Sequence, residues 1–99
     1  MKPIISIIIP AYNEEKFIEQ TLISLKKQNC GIPYEIIVCD NNSKDKTPEI
    51  AQKYADKVVS ETKQGGGYAR NKGASIAQGK YLVFTDADTV FPENYLEEA

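Results

Sequence analysis

The sequence predicts an α/β domain, because short β-branched segments alternate along the chain with stretches that have the period of amphipathic helices. The predicted strands are residues 4–9, 35–39, 57–60 and 80–85. None of them alternates cleanly between polar and apolar residues, as is typical of parallel strands covered on both faces. Connections of this kind are right-handed and place helices on both faces of the sheet. The pattern leaves the order of the strands open.

The first helix is predicted to begin at Asn13, a favourable N-cap residue, and to end before Gly31. Acidic residues follow the cap, where they suit the positive end of the helix dipole. The helix has an apolar stripe at i, i+4 and i+7 spacing, formed by Ile18, Leu22 and Leu25. This stripe predicts the face that packs on the sheet.

Two further helices are predicted from their end signals. Thr47 is expected to cap the second helix, with Pro48 in its first turn, where a missing N–H does no harm. The third helix is predicted over residues 68–78 and ends with Gly79 at the C′ position. Gly73 lies inside it and weakens the helix unless a neighbour packs closely there.

Composition narrows the function classes. The 99 residues predict one domain, and 41% hydrophobic with 26% charged residues is ordinary for a globular chain. Twelve basic and fourteen acidic residues give a net charge of −2 without a basic block, so we expect no nucleic-acid partner. The absence of histidine excludes His-based triads and most zinc sites.

The expected location is cytoplasmic. Cys30 and Cys39 cannot form a disulfide framework, which favours a reducing compartment, and Cys39 is predicted to be a small buried hydrophobe. The longest apolar run, residues 4–9, is far shorter than the roughly 20 residues that cross a bilayer.

Polar residues follow three of the four predicted strands. They are residues 10–14 after the first strand, residues 40–43 after the second and residues 86–88 after the fourth. Parallel strands place their C-terminal ends at one sheet edge, where open α/β sheets bind ligands. We therefore expect the three clusters to meet in one crevice.

Asp86 and Asp88 predict a metal site. Two carboxylates at i and i+2 after a strand offer hard oxygen ligands, which suit Mg²⁺ or Mn²⁺. Such ions usually take one or two protein carboxylates and complete their shell with phosphate and water. The alternative is that these residues only form an Asx-turn and cap a following helix.

Other residues at the same edge have two interpretations each. Asp40 either accepts hydrogen bonds from a nucleotide or only forms a turn, and Glu14 is either a ribose acceptor or a partner of the helix dipole. Gly65, Gly66 and Gly67 allow close approach of a ligand but also suit a flexible loop. Arg70, the only arginine, suits phosphate or a base edge, whereas a surface ion pair is its ordinary use.

Four segments together resemble an inverting family 2 glycosyltransferase with the GT-A fold. They read SIIIPAYNEE (residues 6–15), EIIVCDNNS (35–43), ARNKG (69–73) and FTDAD (84–88). The resemblance implies a three-layer α/β/α, Rossmann-like, mainly parallel sheet with strand order 3-2-1-4. It also implies that residues 1–99 are a single nucleotide-sugar-binding unit, the N-terminal part of a larger glycosyltransferase domain.

The resemblance assigns roles by position. The nucleoside pocket would be lined by Pro10, Ala11, Tyr12 and Glu14. Asp40 would face the base and Arg70 would reach the nucleotide. Asp86 and the adjoining Ala87 would lie by the nucleotide, with Asp86 at the ribose or the metal.

Asp88 would hold the metal on the diphosphate, as Mg²⁺ or Mn²⁺. Relatives often read Asp-Asp-Gly-Ser where this chain has Asn41 and Asn42 in the middle, which removes a second carboxylate. The family's catalytic base comes from sequence after Asp88, so it is expected beyond Ala99.

The resemblance implies a full-length enzyme that transfers a sugar from a UDP- or GDP-linked donor, with metal dependence and inversion, and a 99-residue chain that is inactive alone. The alternatives are a Mg²⁺-binding phospho-receiver-like signalling module, a sugar-phosphate nucleotidyltransferase and a degenerate domain kept for protein contacts. A receiver needs acidic residues after the first strand, and a nucleotidyltransferase would normally show a glycine-rich basic loop there.

Two expectations concern partners and place. An open sheet edge exposes unpaired backbone groups, so we expect the isolated chain to dimerise or exchange strands through it. The full-length protein could work at the cytosolic face of a membrane. The sequence does not identify the acceptor.

Overall fold

The sheet has four parallel strands in the order β3-β2-β1-β4. It comes from a computed structural model, which describes residues 2–98. The strands are β1 (Ile5–Ala11), β2 (Tyr34–Asp40), β3 (Lys57–Ser60) and β4 (Tyr81–Phe84). The α/β class and the strand order implied by the resemblance are both confirmed.

Helices cover both faces of the sheet. They are α1 (Ile18–Lys26), α2 (Thr47–Tyr54), α3 (Gly66–Ile76) and α4 (Tyr95–Glu98). α1 and α2 pack against each other on one face, and α3 packs against β1 and β2 on the other. Among residues 2–98, no helix is long and apolar enough to span a bilayer.

The two central strands are buried on both sides. Ile7 and Ile9 of β1 join the core that contains the predicted stripe of α1. Ile8 faces the opposite way, and a Cβ added to Gly73 of α3 would lie 2.6 Å from its Cγ2. Gly73 therefore occurs inside a helix because α3 lies too close to β1 for a larger residue.

Three predicted helix ends are wrong. α1 begins at Ile18, and Asn13 instead adopts a left-handed conformation with φ 53°. Thr47 is the first residue of α2, not its cap, and α3 spans Gly66–Ile76, so Gly79 lies beyond its C′ position. The polar groups of Asn13 and Thr47 bond to another loop, described below, and are thus unavailable as local caps.

The outer strands differ from the prediction of cover on both faces. β3 is half-buried, and β4 pairs with β1 on one side while exposing most of its side chains. Within residues 2–98, no strand pairs with the other side of β4. Only the central strands are thus doubly covered.

The two cysteines are free. Cys39 is fully buried at the end of β2, and this burial, with smaller contributions from Glu61 and Asp40, raises the pKa of its thiol to about 11. Cys39 is therefore an uncharged core residue at neutral pH, as predicted.

Candidate functional site

The C-terminal ends of the strands meet at one edge of the sheet. Ala11 pairs with Asp40 across β1 and β2, and the N–H of Asn41 donates to the Ala11 carbonyl at 2.8 Å. On the other side of β1, the N–H of Thr85 donates to the carbonyl of Ile8 at 3.1 Å. The three polar clusters therefore follow neighbouring strands at the same edge of the sheet, although the cavity described below is lined by only one of their residues, Asp86.

The loop after β1 is hydrogen-bonded to the loop after β2. The N–H of Asn13 donates to Ser43 Oγ at 2.9 Å, and Asn13 Oδ1 accepts the N–H of Lys44 at 2.8 Å. The N–H of Glu14 donates to Thr47 Oγ1 at 2.8 Å. These contacts use the groups that the sequence had predicted to cap helices, and they hold the two loops in a fixed relation.

Asp45 completes this connection, and sequence reasoning missed it. Its carboxylate accepts the N–H of Glu15 at 3.2 Å and the N–H of Thr47 at 2.9 Å. Burial raises the pKa of Asp45, but the hydrogen bonds from Thr47 and Glu15 outweigh it and leave this pKa below its ordinary value. The charged Asp45 side chain thus connects the two loops. In the sequence it is only an acidic residue two positions before the start of α2.

Asp40 carries an unpaired oxygen. The residue is only 5% exposed, and its Oδ2 accepts the N–H of Ser43 at 3.1 Å. Its Oδ1 is buried without a hydrogen-bond partner within residues 2–98. A buried acceptor without a partner costs about 1–3 kcal/mol, so this oxygen is a candidate acceptor for a water molecule or a ligand.

Carboxylates are concentrated beside these loops. Asp86 and Asp88 are exposed, and Glu14 is half-buried. The pKa of Glu14 is raised, first by burial and then by repulsion from Asp88, Asp45 and Asp86. Glu14, Asp86 and Asp88, which come from separate parts of the sequence, are therefore close enough to interact electrostatically.

Ala87 faces away from its acidic neighbours. Its side chain lies in the core with α1, and its carbonyl accepts Thr21 Oγ1 at 3.0 Å. Residues 86–88 thus alternate between exposed and buried positions: Ala87 packs on α1, whereas Asp86 and Asp88 are exposed to solvent. Any ligand contact of Ala87 would use its backbone.

A cavity of about 430 Å³ lies between α3 and the end of β4. It is lined by Arg70, Asn71, Phe84, Thr85 and Asp86. Arg70 and Asp86, which were predicted separately, thus share one cavity, and Arg70 makes no ion pair within residues 2–98. The sequence analysis gave no role to Asn71, Phe84 or Thr85, although each lies within a segment that carries the family resemblance.

A second cavity of about 410 Å³ lies between α1 and residues 90–93. It is mainly apolar, and none of its lining residues belongs to the acidic cluster at the strand ends. We therefore assign the candidate site to the cavity beside Arg70 and Asp86.

The carboxylates fit a metal site whose ligands come partly from a bound phosphate better than a site formed by protein side chains alone. No group of three or more Cys, Asp or Glu side chains within residues 2–98 is arranged to hold an ion. Two exposed aspartates alone suit Mg²⁺ or Mn²⁺ when phosphate and water supply the other ligands. The donor set therefore fits a cation that arrives with a phosphorylated ligand.

The described residues form an α/β domain with a cluster of acidic side chains at the C-terminal ends of its strands. The family model described as Glycosyl transferase family 2 matches residues 6–99. The chain belongs to that family.

Individual proteins agree with the family. The chain is 39% identical over 101 residues to poly(ribitol-phosphate) beta-N-acetylglucosaminyltransferase TarS of Staphylococcus aureus, over 95% of this chain and 18% of TarS. The crystal structure of TarS 1–349 in complex with UDP superposes with a TM-score of 0.84 at 34% identity, over 99% of this chain and 30% of that one. The mannosyltransferase PcManGT from Pyrobaculum calidifontis, in complex with GDP-Man and Mn²⁺, gives 0.81 at 31% identity, over 93% and 29%. The chain thus spans less than a third of the length of each of these three chains.

Proposed function

We propose that this chain is the donor-binding portion of a family 2 glycosyltransferase, which transfers a sugar from a nucleoside diphosphate sugar. The observation that carries the proposal is the meeting of Asp40, with its unpaired buried oxygen, and the Asp86–Asp88 pair at one sheet edge. The UDP bound to TarS and the GDP-Man bound to PcManGT support a nucleotide donor. Family membership argues against the receiver and nucleotidyltransferase alternatives.

The nucleoside is proposed to bind between the two connected loops. The free oxygen of Asp40 accepts an N–H of the base, and Pro10, Ala11 and Glu14 line the pocket. Tyr12 is 47% exposed, so its ring is available to a base or ribose. Arg70 reaches the nucleotide across the cavity that it shares with Asp86.

The diphosphate is proposed to lie over the acidic pair, with Asp88 and Asp86 as ligands of Mg²⁺ or Mn²⁺. When bound, the cation supplies positive charge that stabilises the leaving diphosphate. Mn²⁺ in the PcManGT complex supports a divalent ion and does not distinguish the two metals. Glu14 adds negative charge beside the pair and favours a cation there.

Sugar transfer with inversion also needs a base that deprotonates the acceptor. The family resemblance locates that residue beyond Ala99, so we propose that residues 1–99 form one donor-binding unit within a larger domain and bind without turnover. The two terminal residues of this range lie outside the described residues. The cytoplasmic location of the protein stays a prediction.

Titration calorimetry of the 99-residue chain with UDP and GDP, with and without Mn²⁺, tests the proposal. We expect metal-dependent binding of at least one nucleotide, weakened by about tenfold or more in Asp88→Asn because the variant loses a charged ligand. Glu49→Gln is the matched control, since it makes the same chemical change on the exposed surface of α2. Absence of binding by the wild-type chain, or equal binding by Asp88→Asn, would contradict the proposal.

A further inference from the structure

The side chain of Asn41 is fully used by the loop between β3 and α3. Its Nδ2 donates to the carbonyl of Glu61 at 2.9 Å and to that of Lys63 at 2.7 Å. Its Oδ1 accepts the N–H of Gly65 at 2.9 Å. The residue is 5% exposed, so these three hydrogen bonds are made away from solvent.

These partners require an amide. Carbonyl oxygens only accept and a backbone N–H only donates, so the orientation of the Asn41 side chain follows from its neighbours. An ionised aspartate could accept from Gly65 but would place an oxygen against the carbonyls of Glu61 and Lys63. In the sequence, Asn41 stood out because relatives often have an aspartate there. In the structure, its amide makes hydrogen bonds that a carboxylate could not make.

The backbone of Asn41 extends the connection to the rest of the edge. Its N–H donates to Ala11 at the end of β1, and its carbonyl accepts Nε2 of Gln64 at 2.7 Å. One residue therefore joins the ends of β1 and β2 to four residues of the loop before α3, namely Glu61, Lys63, Gln64 and Gly65.

That loop sets the start of α3. Gly65 is the N-cap and has φ 137°, a conformation that side chains rarely allow. The guanidinium of Arg70 lies on the first turn of the helix, since a Cβ added to Gly66 would be 3.2 Å from its Nη1. The position of Gly65 thus determines where Arg70 enters the cavity that it shares with Asp86.

We propose that Asn41 is a positioning residue that holds the 61–65 loop and, through the start of α3, orients Arg70 toward the nucleotide. The effect on ligand binding rests on the proposed function, whereas the hold on the loop does not. Asn41 contacts the loop and the strand ends, and it acts on the ligand only through Arg70.

Asn41→Asp tests the hold on the loop, with Asn42→Asp as the matched control. Asn42 is the exposed neighbour, so its variant adds the same charge without touching the loop bonds. We expect amide hydrogen exchange across residues 61–67 to accelerate by about tenfold or more in Asn41→Asp and to stay unchanged in the control. Asn41→Ser removes the same bonds without a charge and serves if the aspartate variant does not fold. Unchanged exchange in a folded Asn41 variant would overturn the proposal.

A double-mutant cycle with Arg70→Ala separates positioning from general destabilisation. We expect Asn41→Asp to weaken nucleotide binding by about tenfold in the wild-type background and by much less in Arg70→Ala, because the route through the guanidinium is already gone. Equal losses in both backgrounds would overturn the action through Arg70. If the wild-type chain binds no nucleotide while the variant still releases the loop, the proposed function fails and the hold on the loop stands.

Discussion

Glu35 is a buried carboxylate at the opposite end of the strands from the candidate site. Its Oε2 accepts Ser6 Oγ at 2.6 Å and the N–H of Gln78 at 2.8 Å, and its Oε1 pairs with Lys57 Nζ at 2.9 Å. It is as buried as Asp40, with 5% exposure, yet both of its oxygens are occupied. The paired oxygens indicate a structural role for Glu35, whereas the unpaired oxygen of Asp40 leaves room for the ligand contact proposed above.

The pairing of Glu35 predicts a pH-dependent stability. Burial raises its pKa, but the bonds from Ser6, Gln78 and Lys57 outweigh burial and leave the pKa below the ordinary value of 4.5. The unfolded chain therefore binds more protons between these two pKa values, and this part of the stability is lost as the pH falls below about 4.5.

Urea unfolding across a pH series measures the effect. We expect Glu35→Gln to lower the free energy of unfolding by about 1–3 kcal/mol at neutral pH, because the Lys57 pair is lost and an amide donor faces other donors. The difference between wild type and variant should shrink as the pH falls through the folded pKa. A difference that is constant from neutral to acid pH would contradict this account.

Helices and strands could be predicted where they depend on neighbouring residues, and could not where they depend on residues far away in the sequence. The strands were recognisable because their apolar runs are local, and Asp40, Asp86 and Asp88 could be assigned to one sheet edge because each comes soon after a strand. The helix starts were not predictable, since Asn13 and Thr47 bond to residues more than 30 positions away.

The parts of the site that the sequence missed are also non-local. Asn41 has its hydrogen-bond partners only because the loop before α3 folds over it, and Asn71 lines the cavity only because the fold brings α3 near the residues at the end of β4. Tertiary contacts of this kind leave no periodicity or spacing in the chain.

The close approach of α3 to β1 predicts a position-specific effect of alanine. Gly73→Ala should destabilise the chain by about 1–3 kcal/mol, because the added Cβ would meet Ile8 at 2.6 Å and overpack the core. Gly67→Ala is the control in the same helix, where nothing lies within 4 Å, and it should stabilise by about 0.5–1 kcal/mol. Urea unfolding compares the two, and equal free energies of unfolding would show that the helix does not depend on this approach.

At the scale of the whole molecule, the two outer strands expose different chemistry. Both outer strands have four residues, and β3 carries Lys57, which is paired with Glu35. β4 exposes Tyr81 by 57%, Leu82 by 42% and Phe84 by 46%, and its outer side pairs with no strand of residues 2–98. An apolar strand with free N–H and C=O groups is a template for pairing with another chain, whereas a lysine on an edge strand opposes such pairing.

The 99-residue chain should therefore associate with itself through β4. A two-fold axis at that edge would pair β4 antiparallel with its copy and cover Leu82 and Phe84 on both chains. Light scattering across a concentration series should show the mass rising toward a dimer for the wild type. Leu82→Lys should stay monomeric, because a charge on an edge strand opposes pairing.

Phe17→Lys is the control for this experiment, since Phe17 is an exposed aromatic residue at the N-cap of α1 and does not belong to β4. It should associate like the wild type. A wild-type mass that stays monomeric at every concentration would refute pairing through β4. Loss of association in the Phe17 variant alone would instead assign the contact to the helical face, where side chains rather than free backbone groups would have to hold two copies together.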